Sequence, residues 1–327
     1  MTKTIRCAAM LALLMWAAPA SAQGAPDAAA FPSRPIHLVV PFPAGGPTDI
    51  LSRIIGERMS KDWGQPVVIE NRPGANTGIG AQQVARAAPD GYTLLAAMDA
   101  TLVMNPATGV SMSYDPFKDF AAVTLLAKNT SLLTVRASDG ATSVKDLIAR
   151  GKASQKKLTY GAGIIITRLA GQVFARAAGF GVVLVPYKGS AEVVQGLLSG
   201  SVDFIVDGIA SSLPLIQGGK FRALAKLNDR PLTPLPQLPT LAAASGLPLP
   251  EMSSWIGLVA PAGTPPAIVA KLQQEVAHIY ADKATLARLD KLGISAVSTT
   301  PEAFDRFYRD EAARWTKAFK DGTVSMN

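Results

Sequence analysis

The stretch IHLVVPFPAGGPTDI, residues 36–50, decides the fold. Its first five residues form an apolar run that is typical of a buried parallel strand. A loop rich in proline and glycine follows, and the apolar residues after it recur at helical spacing as far as Met59. Apolar runs at 67–69 and 93–97 predict two more strands, with a second helix at 79–88 between them. This β-α-β-α-β order predicts an α/β fold with a doubly wound sheet.

A second α/β unit follows along the chain. Apolar runs at 158–160, 182–185 and 204–206 predict strands, and a helical pattern lies at 170–178. A proline-rich stretch at 230–251 predicts an extended connection, beyond which helical patterns return. The chain is therefore expected to build one lobe, leave it to build another, and come back, which creates a hinge and a cleft between the lobes. We predict lobe 1 at residues 23–129 plus 229–327 and lobe 2 at residues 130–228.

Residues 1–22 have the pattern of an export signal. Lys3 and Arg6 precede an apolar run, and Ala20-Ser21-Ala22 supplies small residues for cleavage. The run is shorter than the roughly 20 residues that a membrane span needs. We therefore expect cleavage after Ala22 and a soluble exported protein. Cys7 is the only cysteine, so the mature chain would have no disulfide, no thiolate nucleophile and no cysteine ligand for a metal.

The net charge indicates an anionic ligand rather than nucleic acid. The formal charge is +8, and loss of Lys3 and Arg6 takes it to +6. No run of Lys and Arg exceeds two residues, and no aromatic residues alternate with basic clusters, as a nucleic-acid surface would require. The excess of positive charge favours small anions. We therefore expect no nucleic-acid partner.

The sequence is poorly supplied for catalysis. Its two histidines, His37 and His278, are far apart and have no metal-ligand spacing, and no nucleophile elbow or phosphate-binding loop of the P-loop type occurs. Ser154 and Lys157 match S-x-x-K in a polar stretch, which is the level expected by chance. We predict no enzyme activity, no cofactor and no metal. An exported α/β enzyme acting on an acid stays as an alternative, and its base would come from the following residues: Asp49, Asp99, Asp207 or Tyr187.

Two loops have the composition of anion sites. Residues 41–49 join the first strand to the first helix, and residues 71–78 do the same before the second helix. Glycines at 45 and 46 free the backbone to turn its N–H groups inward at a helix N-terminus, where the partial charge is positive. Both loops follow neighbouring parallel strands, where such folds bind ligands. Asp49 would bond the loop backbone rather than the anion.

At this point several blocks of the sequence resemble one family, the substrate receptors of tripartite tricarboxylate transporters, also called the Bug family. The blocks are residues 35–49, 64–74, 89–94, 185–189 and 258–265, and the likeness runs in order from about Phe31 to the C-terminus. The resemblance implies a two-lobed periplasmic-binding-protein fold of type II-like architecture. It also implies that the loops at 42–49 and 74–78 hold one carboxylate, and that the second lobe contacts the ligand from the other side.

The chain departs from the family pattern on the second lobe. The family has a small polar stretch followed by His-Leu-Ala-Gly-Glu, where this chain has Ile164-Ile165-Ile166-Thr167 and then Arg168. Consecutive residues of an extended loop point in different directions, so at least one isoleucine is expected to face the cleft. Arg168 would then pair with a second carboxylate of an aromatic or apolar-bodied dicarboxylate. The alternative is that the isoleucines pack beneath the loop and Arg168 points to solvent.

Taken together, the residues predict a monomeric periplasmic solute-binding protein that delivers a small organic carboxylate to the permease subunits of a tripartite tricarboxylate-type transporter. A receptor that reports its ligand to a signalling partner remains an alternative. The predicted ligand-binding residues of lobe 1 are Phe42, Ala44, Gly45, Gly46, Thr48, Asp49, Gly74, Ala75, Asn76, Thr77, Asp99 and Thr101. Those of lobe 2 are Gly163, Ile164, Ile166, Thr167, Arg168, Tyr187, Lys188, Gly189, Ser190 and Asp207.

Overall fold

The computed structural model describes residues 29–321 and residue 324, so the predicted signal sequence at residues 1–22 lies outside the described residues. The described chain forms two β-sheets flanked by helices. The strands are β1 (Ile36–Val40), β2 (Val67–Asn71), β3 (Thr93–Met98), β4 (Phe120–Asn129), β5 (Ser131–Arg136), β6 (Leu158–Ala162), β7 (Val182–Pro186), β8 (Phe204–Gly208), β9 (Phe221–Lys226), β10 (Ser254–Pro261) and β11 (Ile294–Ala296).

The helices alternate with these strands. They are α1 (Pro47–Trp63), α2 (Gly78–Ala85), α3 (Asn105–Ala107), α4 (Val144–Ala153), α5 (Ile165–Ala178), α6 (Ser190–Leu198), α7 (Ile209–Gln217), α8 (Leu241–Ser245), α9 (Pro266–Ala281), α10 (Lys283–Lys291) and α11 (Pro301–Lys320). A π-helical turn at Ala100–Met104 leads into α3, and a 3₁₀ turn at Ala137–Asp139 follows β5.

The two sheets share one strand order. The first sheet runs β2-β1-β3-β10-β4-β11 and the second runs β7-β6-β8-β5-β9. In each, three parallel strands are followed by a strand that pairs antiparallel to both of its neighbours, β10 in the first sheet and β5 in the second. The two-lobed α/β fold predicted from the sequence is confirmed. The antiparallel strands were not predicted, because short apolar runs carry no signal for strand direction.

The chain passes between the sheets twice. The first passage takes one residue, Thr130, between the end of β4 and the start of β5. The second lies between the end of β9 and the start of β10. The side chain of Asn228 ties the two passages together, since it accepts a hydrogen bond from Thr130 Oγ1 and donates one to the carbonyl of Asn129.

The sequence predicts an extended connection for the proline-rich second passage. In the structure this passage is not extended throughout. Thr240 pairs with Lys226 in an isolated bridge, and its Oγ1 caps α8 by accepting from the Ala243 N–H. α8 then packs against α4 and β9. A short alanine-rich segment between prolines can therefore form a helix where a capping threonine precedes it and an apolar surface receives Leu241, which is buried.

Candidate functional site

A cavity of about 500 Å³ lies between the two lobes. This volume is in the range of pockets that hold small ligands, roughly 300–1,000 Å³. The carboxyl ends of β1 and β2 provide one wall, and those of β6 and β7 provide the other. The cavity is lined by Pro41, Phe42, Pro73, Gly74, Ala75, Asn76, Thr77, Ala100, Asn105, Gly163, Ile164, Ile165, Arg168, Pro186, Tyr187 and Lys188.

The charged residues that line this cavity, Arg168 and Lys188, are both cations. Arg168 is half-buried, and its Nη2 donates to the backbone carbonyls of Gly163, at 3.0 Å, and Tyr187, at 3.4 Å. Its Nε is buried with no acceptor, and among the described residues no carboxylate forms an ion pair with it. Burial lowers the pKa of Arg168 from its usual value, although an arginine stays charged at neutral pH. The site therefore holds a positive charge that protein groups do not neutralise.

Five helices that follow parallel strands begin at the cleft without a side-chain cap. They are α1, α2, α5, α6 and α7, whose N-cap residues are Gly46, Thr77, Ile164, Gly189 and Gly208. Away from the cleft, α4, α8, α10 and α11 each begin with a Ser, Thr or Asp side chain that accepts from the first turn, whereas α9 begins without one. Uncapped N–H groups at a helix start carry partial positive charge and bind anions. The cleft thus gathers backbone donors from both lobes.

The loop before α1 is held by Asp49. One carboxylate oxygen of Asp49 accepts from the Gly45 N–H at 2.9 Å, and its two oxygens also accept from Arg53 and Asn71. Burial acts to raise the pKa of Asp49, but the hydrogen bonds from Arg53, Gly45 and Asn71 outweigh it and lower the pKa. Asp49 therefore accepts a hydrogen bond from the loop backbone, as the sequence predicts; that it does not contact the anion stays a prediction.

The two glycines of this loop have different backbones. Gly45 has φ +87°, in the left-handed region that favours glycine. Gly46 has φ −85°, which any residue adopts, and a Cβ there would meet ordinary contacts at 4.0 Å from Ser190 Oγ. The expectation that both glycines are needed for the turn is therefore wrong for Gly46.

The loop before α2 is strained. Gly74, Ala75, Asn76 and Thr77 all have positive φ, and three of them are not glycine. For an L-residue this conformation costs about 1–2 kcal/mol each. Asn105 offsets this cost, since its Nδ2 donates to the Asn76 carbonyl at 2.7 Å and lies 3.4 Å from Thr77 Oγ1. The sequence analysis missed Asn105, a polar residue before a proline just beyond the third parallel strand.

On the second lobe the isoleucines do not form an extended loop. Ile164 is extended, but α5 begins at Ile165, so the alternation expected of these residues is wrong. Ile164 and Ile165 line the cavity, whereas Ile166 is buried beneath it. The N-terminus of α5 is close enough to β6 for the Tyr160 hydroxyl to donate to the Arg168 carbonyl at 2.7 Å. This contact helps to hold Arg168 at the cavity.

A smaller cavity, of about 30 Å³, continues from the first between the lobes. Asp207 lines it from the end of β8. Its Oδ1 accepts from Ser190 Oγ at 2.8 Å, and its Oδ2 is buried with no hydrogen-bond partner in the described part of the chain. Burial raises the pKa of Asp207 to about 7. The predicted site residues along this cavity are Phe42, Gly46, Thr48, Gly163, Ile164, Gly189, Ser190 and Asp207.

Some predicted site residues line neither cavity. Asp49 supports a loop, and Thr167 Oγ1 donates to the Ile164 carbonyl within the first turn of α5. Asp99 and Thr101 are buried beyond β3, where burial raises the pKa of Asp99 to about 7. The remaining three are Ala44, Gly45 and Ile166. The larger cavity in turn has lining residues that the sequence analysis did not select: Pro41, Pro73, Ala100, Asn105, Ile165 and Pro186.

Within residues 29–321 and 324, no three His, Cys, Asp or Glu side chains come together in an arrangement that could hold a metal ion. In that same part of the chain, no helix is long and apolar enough to cross a membrane.

Two α/β lobes with a cavity at the facing carboxyl ends of their strands define a solute-binding protein. Residues 51–323 match the family described as "Tripartite tricarboxylate transporter family receptor". The protein BugT of Bordetella pertussis is 32% identical over 294 residues, which cover 89% of this chain and 90% of that protein. The chain therefore belongs to the tripartite tricarboxylate receptor family, also called the Bug family, whose members are substrate-binding receptors and not enzymes.

Solved structures agree with this assignment. The structure "R. palustris Rpa4515 with adipate" is 36% identical, with a TM-score of 0.86, and the match covers 90% of this chain and 99% of that one. The structure of MatC from Rhodopseudomonas palustris with bound malate is 32% identical, with a TM-score of 0.80, over 88% of this chain and 99% of that one. A periplasmic binding protein, BugD, is 32% identical with a TM-score of 0.81 over 90% of this chain and 99% of that one.

The raised pKa of Asp207 predicts a stability that falls as pH rises. In the unfolded chain an aspartate ionises near pH 3.8, whereas folded Asp207 keeps its proton to about pH 7. Between these values the unfolded state binds fewer protons than the folded state, so the free energy of unfolding decreases through this window. The neutral variant Asp207→Asn removes this loss and is expected to be more stable than the wild type at pH 8 by about 1–4 kcal/mol.

The measurement is urea unfolding at pH 5 and pH 8. At pH 5, which lies above the unfolded-state pKa, part of this loss has already occurred, so the wild type should be less stable than Asp207→Asn, but by a smaller difference than at pH 8. Asp290→Asn, which removes an exposed carboxylate on α10, is the control and should leave the pH dependence of the wild type unchanged. If Asp207→Asn gives the same difference between the two pH values as the wild type, Asp207 ionises normally in the folded protein.

Proposed function

We propose that this protein captures a small dicarboxylate with an apolar body in the cleft between its lobes. The observation that carries the proposal is Arg168, a half-buried cation that has no carboxylate partner among the described residues and lines a cavity between uncapped helix N-termini. Removing an anion's water is costly unless charged or dipolar donors replace it. An arginine and the backbone donors of five helix starts are suited to replace the water around two carboxylates.

The walls of the cavity favour an apolar ligand body. Phe42, Ile164 and Ile165 contribute carbon-rich surface, and the prolines at 41, 73 and 186 add more. Apolar ligand surface buried here gains about 25 cal/mol per Å², whereas a ligand hydroxyl left without a partner costs about 1–3 kcal/mol. Of the adipate and malate complexes described above, the adipate complex has the ligand whose body is purely methylene. An aliphatic or aromatic dicarboxylate of similar length is the class we assign to this chain.

The proposal extends to the place and partner of the protein. Residues 1–22 have the pattern of an export signal, and the related BugD is a periplasmic binding protein. We propose that the chain is cleaved after Ala22, works as a monomer in the periplasm, and delivers its ligand to the membrane permease subunits of a tripartite tricarboxylate-type transporter.

A thermal-shift screen tests the ligand class and the role of Arg168. Adipate and aromatic dicarboxylates are expected to raise the melting temperature more than malate, citrate or monocarboxylates of matched length. Arg168→Ala removes a charged hydrogen-bond donor and should weaken binding of the best dicarboxylate by about 10- to 100-fold in calorimetry. Arg176→Ala, an exposed arginine at the other end of α5, is the matched control. Strongest stabilisation by citrate or malate, unchanged in Arg168→Ala, contradicts the proposal.

A pair of glycine variants tests whether the loop before α1 presents the backbone to the anion. Gly45→Ala forces an L-residue into the left-handed region and disturbs the N–H that Asp49 holds, at a cost of about 1–2 kcal/mol. We expect its affinity for the dicarboxylate to fall about 5- to 20-fold. Gly46→Ala is compatible with the observed backbone and should stay within about twofold of the wild type. Equal affinities of the two variants would show that this loop does not form the site.

We also propose the lobe boundaries and a closing motion. Lobe 1 comprises residues 23–129 plus 229–327, lobe 2 comprises residues 130–228, and the passages near residues 128–131 and 226–229 act as hinges. The lobes approach each other closely at Gly45 and Ser211, where Ser211 Oγ lies 3.4 Å from the Gly45 carbonyl. Opening of the cleft would break this contact. Small-angle scattering should give a smaller radius of gyration with a saturating dicarboxylate than without it. An unchanged profile at saturation would mean a rigid, preformed cleft.

A further inference from the structure

A third cavity, of about 200 Å³ and partly open to solvent, lies on the opposite face of α5 from the cleft. Its walls are one face of α5, the start of the second passage between the sheets, the first turn of α8, and residues 249–252. It shares no lining residue with the two cavities between the lobes. A cavity of about 150 Å³ with apolar walls is sufficient to hold benzene in another protein, so this one has room for a single ring.

The interior of this cavity, which we call the hinge cavity, is apolar. Phe174, Leu241 and Met252 are each buried and line it, and Val173 and Leu249 extend the same surface. A small ligand here would gain hydrophobic contact with these side chains, and the ring of Phe174 could also attract a cation. The hinge cavity is thus suited to a ligand with an apolar body.

The charge at the mouth of the hinge cavity is opposite to that of the cleft. Asp229 and Glu251 line it, both are exposed, and no lysine or arginine does. Among the described residues neither carboxylate forms an ion pair, and Glu251 accepts a hydrogen bond from Ser253 Oγ at 3.3 Å. Two unpaired carboxylates beside an apolar interior complement an organic cation and disfavour an anion.

The hinge cavity is also built into the link between the lobes. Asn228 lines it, and the same side chain bonds to Thr130 and Asn129 of the first passage. α5 connects the two sites, with Arg168 in the cleft near its start and Phe174 in the hinge cavity one to two turns later. A ligand in the hinge cavity would therefore contact the segments where the chain passes from one lobe to the other.

We propose that the hinge cavity is a second small-molecule site, and that it takes an organic monocation with an apolar body, such as an arylalkyl ammonium ion. Its ligand class is distinct from the anion of the cleft. The ammonium group lies between Asp229 and Glu251, and the apolar body packs against Phe174, Leu241 and Met252.

Benzylammonium and benzyl alcohol test the site, because they share a ring and differ in charge. The probe is titrated into the protein while the Met252 methyl resonance is followed by NMR. Benzylammonium is expected to shift this resonance saturably and to bind about fivefold more tightly than benzyl alcohol, a difference typical of exposed charge pairs. No saturable shift of Met252 at millimolar benzylammonium, or equal affinity of the two probes, overturns the proposal.

Two variants locate the interaction. Asp229→Asn/Glu251→Gln removes both carboxylates from exposed positions, and should lower benzylammonium affinity about fivefold while leaving benzyl alcohol unchanged. Glu302→Gln/Asp310→Asn removes two charges from α11 and should change neither. Ala242→Phe fills the hinge cavity and should abolish the Met252 shift with both probes. If Asp229→Asn/Glu251→Gln binds benzylammonium as tightly as the wild type, the proposal is contradicted. It is also contradicted if Ala242→Phe binds benzylammonium as tightly as the wild type.

Discussion

The structure depends on a geometric constraint, which is that a helix following a parallel strand begins at the carboxyl edge of its sheet. In this protein two sheets with the same strand order turn those edges toward each other. Five helix starts therefore meet at one cleft, and each brings backbone N–H groups that have no partner inside the helix. The absence of side-chain caps on these five helices leaves the donors available. The partial positive charge at the cleft is then a property of the topology, before any charged side chain is considered.

Holding this arrangement has a conformational cost. Three successive non-glycine residues before α2 adopt left-handed backbone, and Asp207 is buried with one oxygen unpartnered. Neighbouring groups offset part of this cost: Asn105 bonds the strained loop, Asp49 bonds the loop before α1, and Ser190 bonds Asp207. Strain and unsatisfied groups of this kind cluster at ligand sites, because a site arranged for a ligand is not arranged for its own lowest energy.

The cleft and the hinge cavity illustrate how one helix can serve two environments. Arg168 places a cation at the cleft, while Phe174 on another face of α5 lines an apolar cavity with acidic residues at its mouth. The full sequence has a net charge of +8, whereas the mouth of the hinge cavity is negatively charged. Local charge, rather than net charge, decides which ligand each site accepts.

The sequence by itself determined the α/β class, the two lobes, the family and the two loops of the first lobe that line the cleft, because strand and helix periodicities and glycine-rich turns are local signals. It also determined that Asp49 would form a hydrogen bond with its own loop, since Asp49 lies only four positions after Gly45. Only the tertiary structure decided that Ile165 rather than Ile166 lines the cavity. The side chains were expected to alternate as in an extended loop, but α5 begins at Ile165, so they follow helical spacing instead. It likewise decided the role of Asn105 and the existence of the hinge cavity. These features depend on residues from distant segments meeting in space, and no local pattern in the chain specifies which segments meet.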